Sequence, residues 1–570
     1  MSLLARLGTF LGLPRGDGGA PPEYAVGYDH NLPERIPAGT RFVGWLTLAN
    51  RGSRAWEAGI ATDGTGPFEA VMRRNGDLAG SFPMPHAVPP GESVTLHGWF
   101  RAPERPGRYE YTVEMVHHHV TWFAERGAEP LRVAVEVTAE APTASARLLD
   151  RSEDALALAW WTGIGVSWSR RGPGYPVIAR SANGCRITDV EGRDFVDFVM
   201  GHGCALLGYA NERIARAVAE SLSSAAVLSL TNELEVEVAE RIRAVIPGAE
   251  RVLFGKNGSD ACTAAVRLAR VHTLRPVVLF CGYHGWQDWF VERLGFEGTG
   301  VPEHAEPLVE RFRYGDLEEV ERLFARHKGR VAAVMVEPAA PIERYGEPLR
   351  DADPEFLASL AALTHREGAL LVFDEVVTGF RYRDGSVQRA TGVVPDLTCL
   401  GKGLAAGMPL SALGGRREIF DRSIGRIAYG PTYQGEGASL AAAREALAVY
   451  REVDVPAHLA RFSGALAAGI DRICGALDLP ARTSGPPFRM VVSFDDDDPV
   501  RRRLTRTLLQ QELMRHGVLS NQGLLMPSLA HDDNALAQTL AAFEKALGTV
   551  RDARRDGRFA SRLEISPAHE

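Results

Sequence analysis

The sequence predicts an α/β protein with a doubly wound, mostly parallel sheet, preceded by an all-β sandwich. Three observations predict it. After residue 156, helical stretches such as NERIARAVAESL (211–222) and NELEVEVAERIRAVI (232–246) alternate with short apolar runs: RVLFG, PVVLFC, VAAVMVE, ALLVFDE and DLTCLG. Strands apolar on both faces suit a parallel sheet covered by helices on both sides. Residues 23–140 instead show no useful helical period, and turn chemistry such as PPGES (89–93) and APERPGR (102–108) breaks them into short strands.

Taken in order, residues 1–22 read as a flexible tail, because MSLLARLGTFLGLPRGD has no basic entry, no long apolar core and no small-residue cleavage site. In the sandwich, TRFVGWLTLAN (40–50), YEYTVEMVHHHV (109–120) and LRVAVEVT (131–138) carry alternating or β-branched residues, and roughly seven strands are expected. His117 and His119 would share one strand face and His118 the other. Without nearby Cys, Asp or Glu clusters they read as solvent-facing strand residues, not as metal ligands. Residues 141–156, small and alanine-rich, read as a linker leading into a helix. No internal repeat appears.

Composition narrows the class. The 570 residues are 45% hydrophobic and 24% charged, with a formal net charge of -8, which argues against nucleic acid as a main partner. No run approaches the ~18 apolar residues of a membrane span. Six scattered cysteines without a C-x-x-C pair read as buried free thiols in a reducing, cytoplasmic compartment.

Chemistry collects where strands end, which is where open α/β sheets bind ligands. RVLFGKNGSDACTAAVRLAR sets Gly258 and Ser259 at a helix start, where backbone N–H groups and the dipole favour phosphate; Ser259 before Asp260 also reads as an N-cap. PVVLFCGYHGWQDW ends on Tyr283 and His284, and Tyr283 is placed to stack on a planar ligand. GALLVFDEVVTGF brings Asp374 and Glu375 out of a buried strand, with Val376 on the Asp374 face. TCLGKGLAAGMPL sets Lys402 among glycines and apolar residues with no acid in the stretch. A phosphate cradle, a ring stacker, a carboxylate and a dry amine together suit pyridoxal 5′-phosphate (PLP).

Residues 144–548 resemble class III, fold-type I PLP enzymes, nearest the glutamate-1-semialdehyde aminomutase branch. The motifs carrying the likeness are ITDVEGRDFVDFV, TNELEVEVAERI, FGKNGSDACTAAVRLAR, GYHGWQDW, VEPAAP, LLVFDEVVTGFR and VPDLTCLGKGLAAGMPLSALGGRREIF. The resemblance implies a PLP-binding large domain over 157–445 with its N-terminal lead-in, a smaller C-terminal α+β domain over 446–548, and a polar tail over 549–570. It implies that Lys402 is the Schiff-base lysine and proton shuttle, that Asp374 pairs with the pyridine nitrogen, and that Val376 and Tyr283 take the two ring faces. Gly258 and Ser259 would hold the phosphate, helped by Thr432 of a neighbouring subunit, which makes the enzyme a homodimer with shared sites. Glu337 and His284 fall at active-site positions, and Glu375 reads as a structural partner. The sandwich, through LANRGSRAW, VPPGESVTL, APERPGRYEY and VTWFAERGAEPL, resembles bacterial immunoglobulin-like domains, a likeness that implies a fold and no chemistry.

The cofactor leaves the reaction open among transamination, aminomutation and racemisation. In GVLSNQGLLMPSLAHDDNAL, Asn521 and Gln522 stand for the branch's polar pair, but Gly523 and Leu524 replace its aromatic and acid. Arg170 and Arg171 are out of register with its carboxylate-binding arginine. The expected activity is therefore an aminotransferase moving nitrogen from an amino-acid donor to a ketone or aldehyde acceptor, with amino-sugar, polysaccharide or specialised metabolism as its setting. Trp168, Tyr175 and His202 are candidates to line the acceptor pocket. The contrasting expectation, a scaffold or glycan-binding protein on an inactive PLP fold, conflicts with the presence of Lys402, Asp374 and the phosphate cradle.

Overall fold

The structure is a computed structural model. It describes residues 22–563 apart from 31, 60–65, 157–177, 225, 292–300, 302–307, 343–346, 497, 522 and 560–561. The N-terminal tail, Trp168, Tyr175, Arg170 and Arg171 lie outside the described residues.

The N-terminal region is a two-sheet sandwich. One sheet pairs β1 (Val26–His30), β3 (Arg41–Asn50) and β6 (Ser93–Arg101). The other runs β2 (Arg35–Pro37), β9 (Leu131–Thr138), β7 (Gly107–His117), β4 (Phe68–Arg74) and β5 (Asp77–Pro83), with the two-residue β8 (Thr121–Trp122) also on β7. Two short strands thus extend the expected seven to nine. The histidine run departs from expectation more sharply. β7 ends at His117, which is buried, stacks on Phe68 at 4.1 Å and accepts from or donates to the Tyr24 hydroxyl at 3.2 Å. His118 Nε2 pairs with Glu69 at 2.6 Å with its ring part-exposed, and the left-handed His119 faces solvent.

The stretch read as a linker is mostly helix, Ala144–Ala155, capped by Thr143. It is tied down on both sides: Arg101 pairs with Asp150 at 2.8 Å, and the Ser145 N–H donates to Glu191 at 2.7 Å.

A seven-stranded sheet follows, in the order β13 (Arg251–Gly255), β19 (Ser411–Gly415), β18 (Leu397–Leu400), β17 (Leu370–Asp374), β16 (Val331–Val336), β14 (Val277–Cys281) and β15 (Val309–Arg311). Only β19 runs against its neighbours. Side-chain alternation sends Leu371 and Phe373 of β17 into one apolar core and Leu370 and Val372 into the other, so the strand is apolar throughout. The helix Gly258–Thr273 lies on the second face, and four of its nine buried residues are alanines, which let it sit close to the sheet.

The C-terminal region holds a four-stranded sheet, β10 (Ala179–Asn183), β11 (Arg186–Asp189), β12 (Asp194–Asp197) and β22 (Val518–Leu519), and a three-stranded one of β20 (Ala481–Ser484), β21 (Met490–Phe494) and β23 (Leu524–Leu525). β12 pairs in parallel with β22, Val196 opposite Val518. The lead-in strands expected with the large domain therefore complete the small one. The expected polar tail over 549–570 is also corrected: the last helix runs Asp533–Asp556, and Val550, Ala553, Phe559 and Leu563 are buried in the same core.

Trp45 leaves the sandwich to join that C-terminal core with Phe198, Phe559 and Leu563, and it is almost fully buried. Trp45→Ala should therefore destabilise the protein by about 3–5 kcal/mol, read as a lower denaturant midpoint. Trp45→Phe should recover most of the loss.

Candidate active site

The site forms where β17 and β18 end. Asp374 is the last residue of β17, and its carboxylate closes the turn: the Val376 N–H donates to Oδ1 at 3.0 Å. The expected shared strand face of Asp374 and Val376 is thus replaced by a side-chain-capped turn that sets them side by side. Asp374 Oδ2 accepts from His284 Nδ1 at 2.8 Å and from the Cys262 thiol at 3.5 Å. All three are buried, and their possible ligand atoms lie within 4.8 Å of one another. Each already bonds within the group through these atoms, so the cluster is a hydrogen-bonded set. Glu375 is the structural partner expected, accepting from Thr378 Oγ1, the Val387 N–H and Gln388 Nε2 at 3.0, 2.9 and 3.0 Å.

Past β18 the chain turns sharply. Lys402 takes φ 46°, a left-handed conformation that a lysine adopts only under constraint. Here the constraint is a short helical turn, Lys402–Ala405, held by the Tyr450 hydroxyl donating to the Gly403 carbonyl at 2.6 Å. Burial, then the charge of Arg489, brings the Lys402 amine down from 10.5 to about 8. Cys204 and Glu337 pull the other way.

The helix Gly258–Thr273 faces this turn. Its N-cap is Asn257, not Ser259: the Asp260 N–H donates to Asn257 Oδ1, and Asp260 Oδ2 accepts from the Asn257 N–H. This capping box leaves Ser259 inside the first turn, where its hydroxyl accepts from the Trp286 N–H at 3.4 Å. A Cβ on Gly258 would lie 3.0 Å from Val376 Cγ1, so glycine is what lets helix and turn meet. Gly285, at φ +119°, is equally constrained, since its Cβ would fall 2.3 Å from Ser259 Oγ.

Tyr283 stands on the rim, about half exposed, with its ring edge-on to Phe290 at 5.6 Å. Its N–H donates to Glu337 Oε2 at 3.1 Å. Glu337 in turn holds Arg489, whose Nη1 donates to Oε1 at 2.9 Å and to the Ala340 carbonyl at 2.9 Å. Arg489 is 6% exposed, and its Nε has no hydrogen-bond partner among the described residues. His202 joins from a left-handed turn, Met200–Gly203, and burial followed by the Lys402 and Arg489 charges brings its imidazole down to about 4. Arg381 lies beneath, buried, with Nη1 donating to the Val377 carbonyl at 2.9 Å.

Gly258, Val376, Asp374 and His284 are linked by packing and hydrogen bonds, and Tyr283 and Lys402 are both related to Glu337; Thr432 stands apart. It is exposed on a surface turn beside Tyr433, and no bond links it to Lys402 or Asp374 among the described residues. Sequence reasoning missed Arg489, Arg381 and Cys262. A signal existed for Arg489: a cation directly before the apolar run MVVSF is costly unless it is used.

The residues fit PLP on three counts. The amine is withdrawn from water and easily deprotonated. A buried carboxylate, held on both oxygens, fits a protonated ring nitrogen. Gly258 offers its backbone at the helix N-terminus with no side chain of its own, beside Val376.

Comparison with known proteins agrees. The model of the family "Aminotransferase class-III" matches residues 168–547. A glutamate-1-semialdehyde 2,1-aminomutase of Thermomicrobium roseum is 34% identical over 401 residues, 66% of this chain and 91% of that protein. A 3-aminobutyryl-CoA aminotransferase of Cloacimonas acidaminovorans is 29% identical over 66% of this chain and 90% of its own. Among solved structures, the PLP internal aldimine form of the FumI protein of Sphingopyxis sp. MTA144 superposes with a TM-score of 0.65 at 28% identity, over 74% of this chain and 98% of that one. With its fold-type I sheet and these matches, the chain belongs to the class III aminotransferase family and is a PLP-dependent enzyme.

Proposed function

We propose that this enzyme is an aminotransferase that takes nitrogen from a carboxylate-bearing amino donor and gives it to a ketone or aldehyde acceptor. Arg489 carries this reading. It is a buried guanidinium beside the Lys402 amine, half engaged by Glu337, with Nε still to be satisfied. A planar fork of that kind matches a carboxylate. It supplies the clamp for which Arg170 and Arg171 are out of register. Leu524 supports an intermolecular reaction, because the position where the aminomutase branch has an acid is here packed in the apolar core.

When bound, PLP supplies an aldehyde and an electron sink. In this reading the chain's residues do the rest. Lys402 would offer a neutral amine to the aldehyde and hold the proton moved at the substrate carbon. Asp374 would accept from the ring nitrogen. Val376 and Tyr283 would cover the two ring faces, and Gly258 and Ser259 would offer backbone and hydroxyl donors to the phosphate. His284 fixes the Asp374 carboxylate, and neutral His202 lines the substrate side.

A homodimer belongs to the same proposal. Val227, Leu228, Leu230, Val236, Trp286 and Tyr433 are exposed apolar groups that a second copy could cover, and the resemblance has that copy bring its Thr432 towards the phosphate. The six free thiols, five of them buried, support a reducing, cytoplasmic setting. No helix among the described residues is long and apolar enough to cross a membrane.

The test compares an amino acid with the amine left by its decarboxylation. Arg489→Met should raise the KM of the amino acid by about 100-fold, the loss of a charged hydrogen bond, and leave that of the amine nearly unchanged. Equal effects on both would remove Arg489 from substrate recognition.

A further inference from the structure

We infer that Cys262 is a positioning residue for the cofactor's ring nitrogen, acting through Asp374. The inference rests on the proposed role of Asp374.

Asp374 has two oxygens with different surroundings. Oδ1 takes the Val376 N–H at 3.0 Å. Oδ2 takes two side-chain donors, His284 Nδ1 at 2.8 Å and Cys262 Sγ at 3.5 Å. Cys262 comes from the first half of the helix Gly258–Thr273, on the side that packs against the sheet, and it is 1% exposed. The thiol has a single proton, and two acceptors lie within its reach: Asp374 Oδ2 and the sulfur of Cys399, the β18 residue paired with Asp374 in register. A carboxylate is much the stronger acceptor, so the proton belongs to Asp374. The hydrogen bond with Cys399, then burial and the Asp374 charge, hold the thiol well above its ordinary range, which favours the protonated, donating form.

A donor on Oδ2 fixes the orientation of the carboxylate in a dry pocket. Held in this way, Asp374 would keep a free lone pair aimed at the ring nitrogen and so favour the protonated ring. His284 does not hold Oδ2 alone: its Nδ1 takes one side of that oxygen and the Cys262 thiol another. The cysteine adds a second donor. An alanine at 262 would remove it and leave Asp374 one hydrogen bond short in a dry pocket.

The experiment uses holoenzyme reconstituted with PLP labelled isotopically at the ring nitrogen. The ring-nitrogen chemical shift and the PLP Kd are measured for wild type, Cys262→Ala, Cys262→Ser and Asp374→Asn. Cys262→Ala should move the shift towards the unprotonated ring and raise the Kd about threefold to tenfold, the worth of one modest hydrogen bond. Cys262→Ser, whose hydroxyl is also a donor, should return both values to wild type. A Cys262→Ala enzyme with wild-type shift and Kd, beside an Asp374→Asn enzyme whose shift moves, would overturn the inference and leave Asp374 in place. An unmoved shift in Asp374→Asn would instead remove the role of Asp374 and the inference with it. Should Cys262→Ala fail to fold, the serine variant decides alone. PLP affinity at or above wild type supports the thiol as donor, and a tenfold loss contradicts it.

Discussion

Lys402→Ala is expected to give a folded, colourless protein whose activity falls by at least about 10⁴-fold, the scale on which covalent-catalysis groups act. The loss follows from position. Lys402 is the cation whose amine burial and Arg489 bring to about 8, and a neutral amine is what attacks an aldehyde. Below that pH the neutral fraction falls tenfold per unit. The rate of colour development on adding PLP to apoenzyme should therefore climb with pH up to about 8 and level off above it. The same shift makes a stability statement. The folded amine titrates below its unfolded value of 10.5, so the cost of burying its charge is present in full below about pH 8 and fades as pH rises from there towards 10.5. That cost is up to about 3 kcal/mol, less whatever solvent contact relieves. Lys402→Met, which keeps the aliphatic stem, should consequently leave the apoprotein at least as stable as wild type at neutral pH. Denaturant titration of the two apoproteins at pH 7 and pH 10 checks it, and the gap should narrow at the higher pH.

Asp374→Asn should lower kcat by about two to three orders of magnitude, the range for removing one preorganised electrostatic group, with a much smaller change in KM. Asn keeps an oxygen for the Val376 N–H. Its amide, however, would face the donors His284 and Cys262, which now meet a carboxylate. The variant should therefore also unfold at lower temperature than wild type, because two buried donors lose their acceptor. Steady-state kinetics with a scan of thermal unfolding separate these effects. A variant with normal kcat and only a lowered midpoint would make Asp374 structural.

Much of this was legible in the chain. β17 and β18 could be read because a strand apolar on both faces has no other home than a covered sheet, and their ends then point to Asp374 and Lys402. What was not legible depends on distance along the chain. Cys262 meets Asp374 across 112 residues, and Arg489 meets Glu337 across 152. β12 and β22 are joined by parallel pairing over more than 300 positions, which is why the lead-in strands seemed to belong with the large domain. Asn257 and Ser259 both suit an N-cap, and the spacing of Asn257 to Asp260 decided between them. His117 looked solvent-facing because strand alternation says which residues share a face, not which face is covered. Phe68 and Tyr24, which bury it, lie 49 and 93 residues away in sequence.

The central claim is that nitrogen leaves one molecule for another at Lys402, and one measurement tests it most directly. The PLP-loaded enzyme is mixed with excess of a candidate amino acid and no acceptor, and the products are counted per protomer. Transamination predicts one equivalent of the matching oxo acid and then a halt, restarted by adding a carbonyl acceptor. Continuous turnover to an inverted or internally rearranged amino acid, with no oxo acid released, would contradict it.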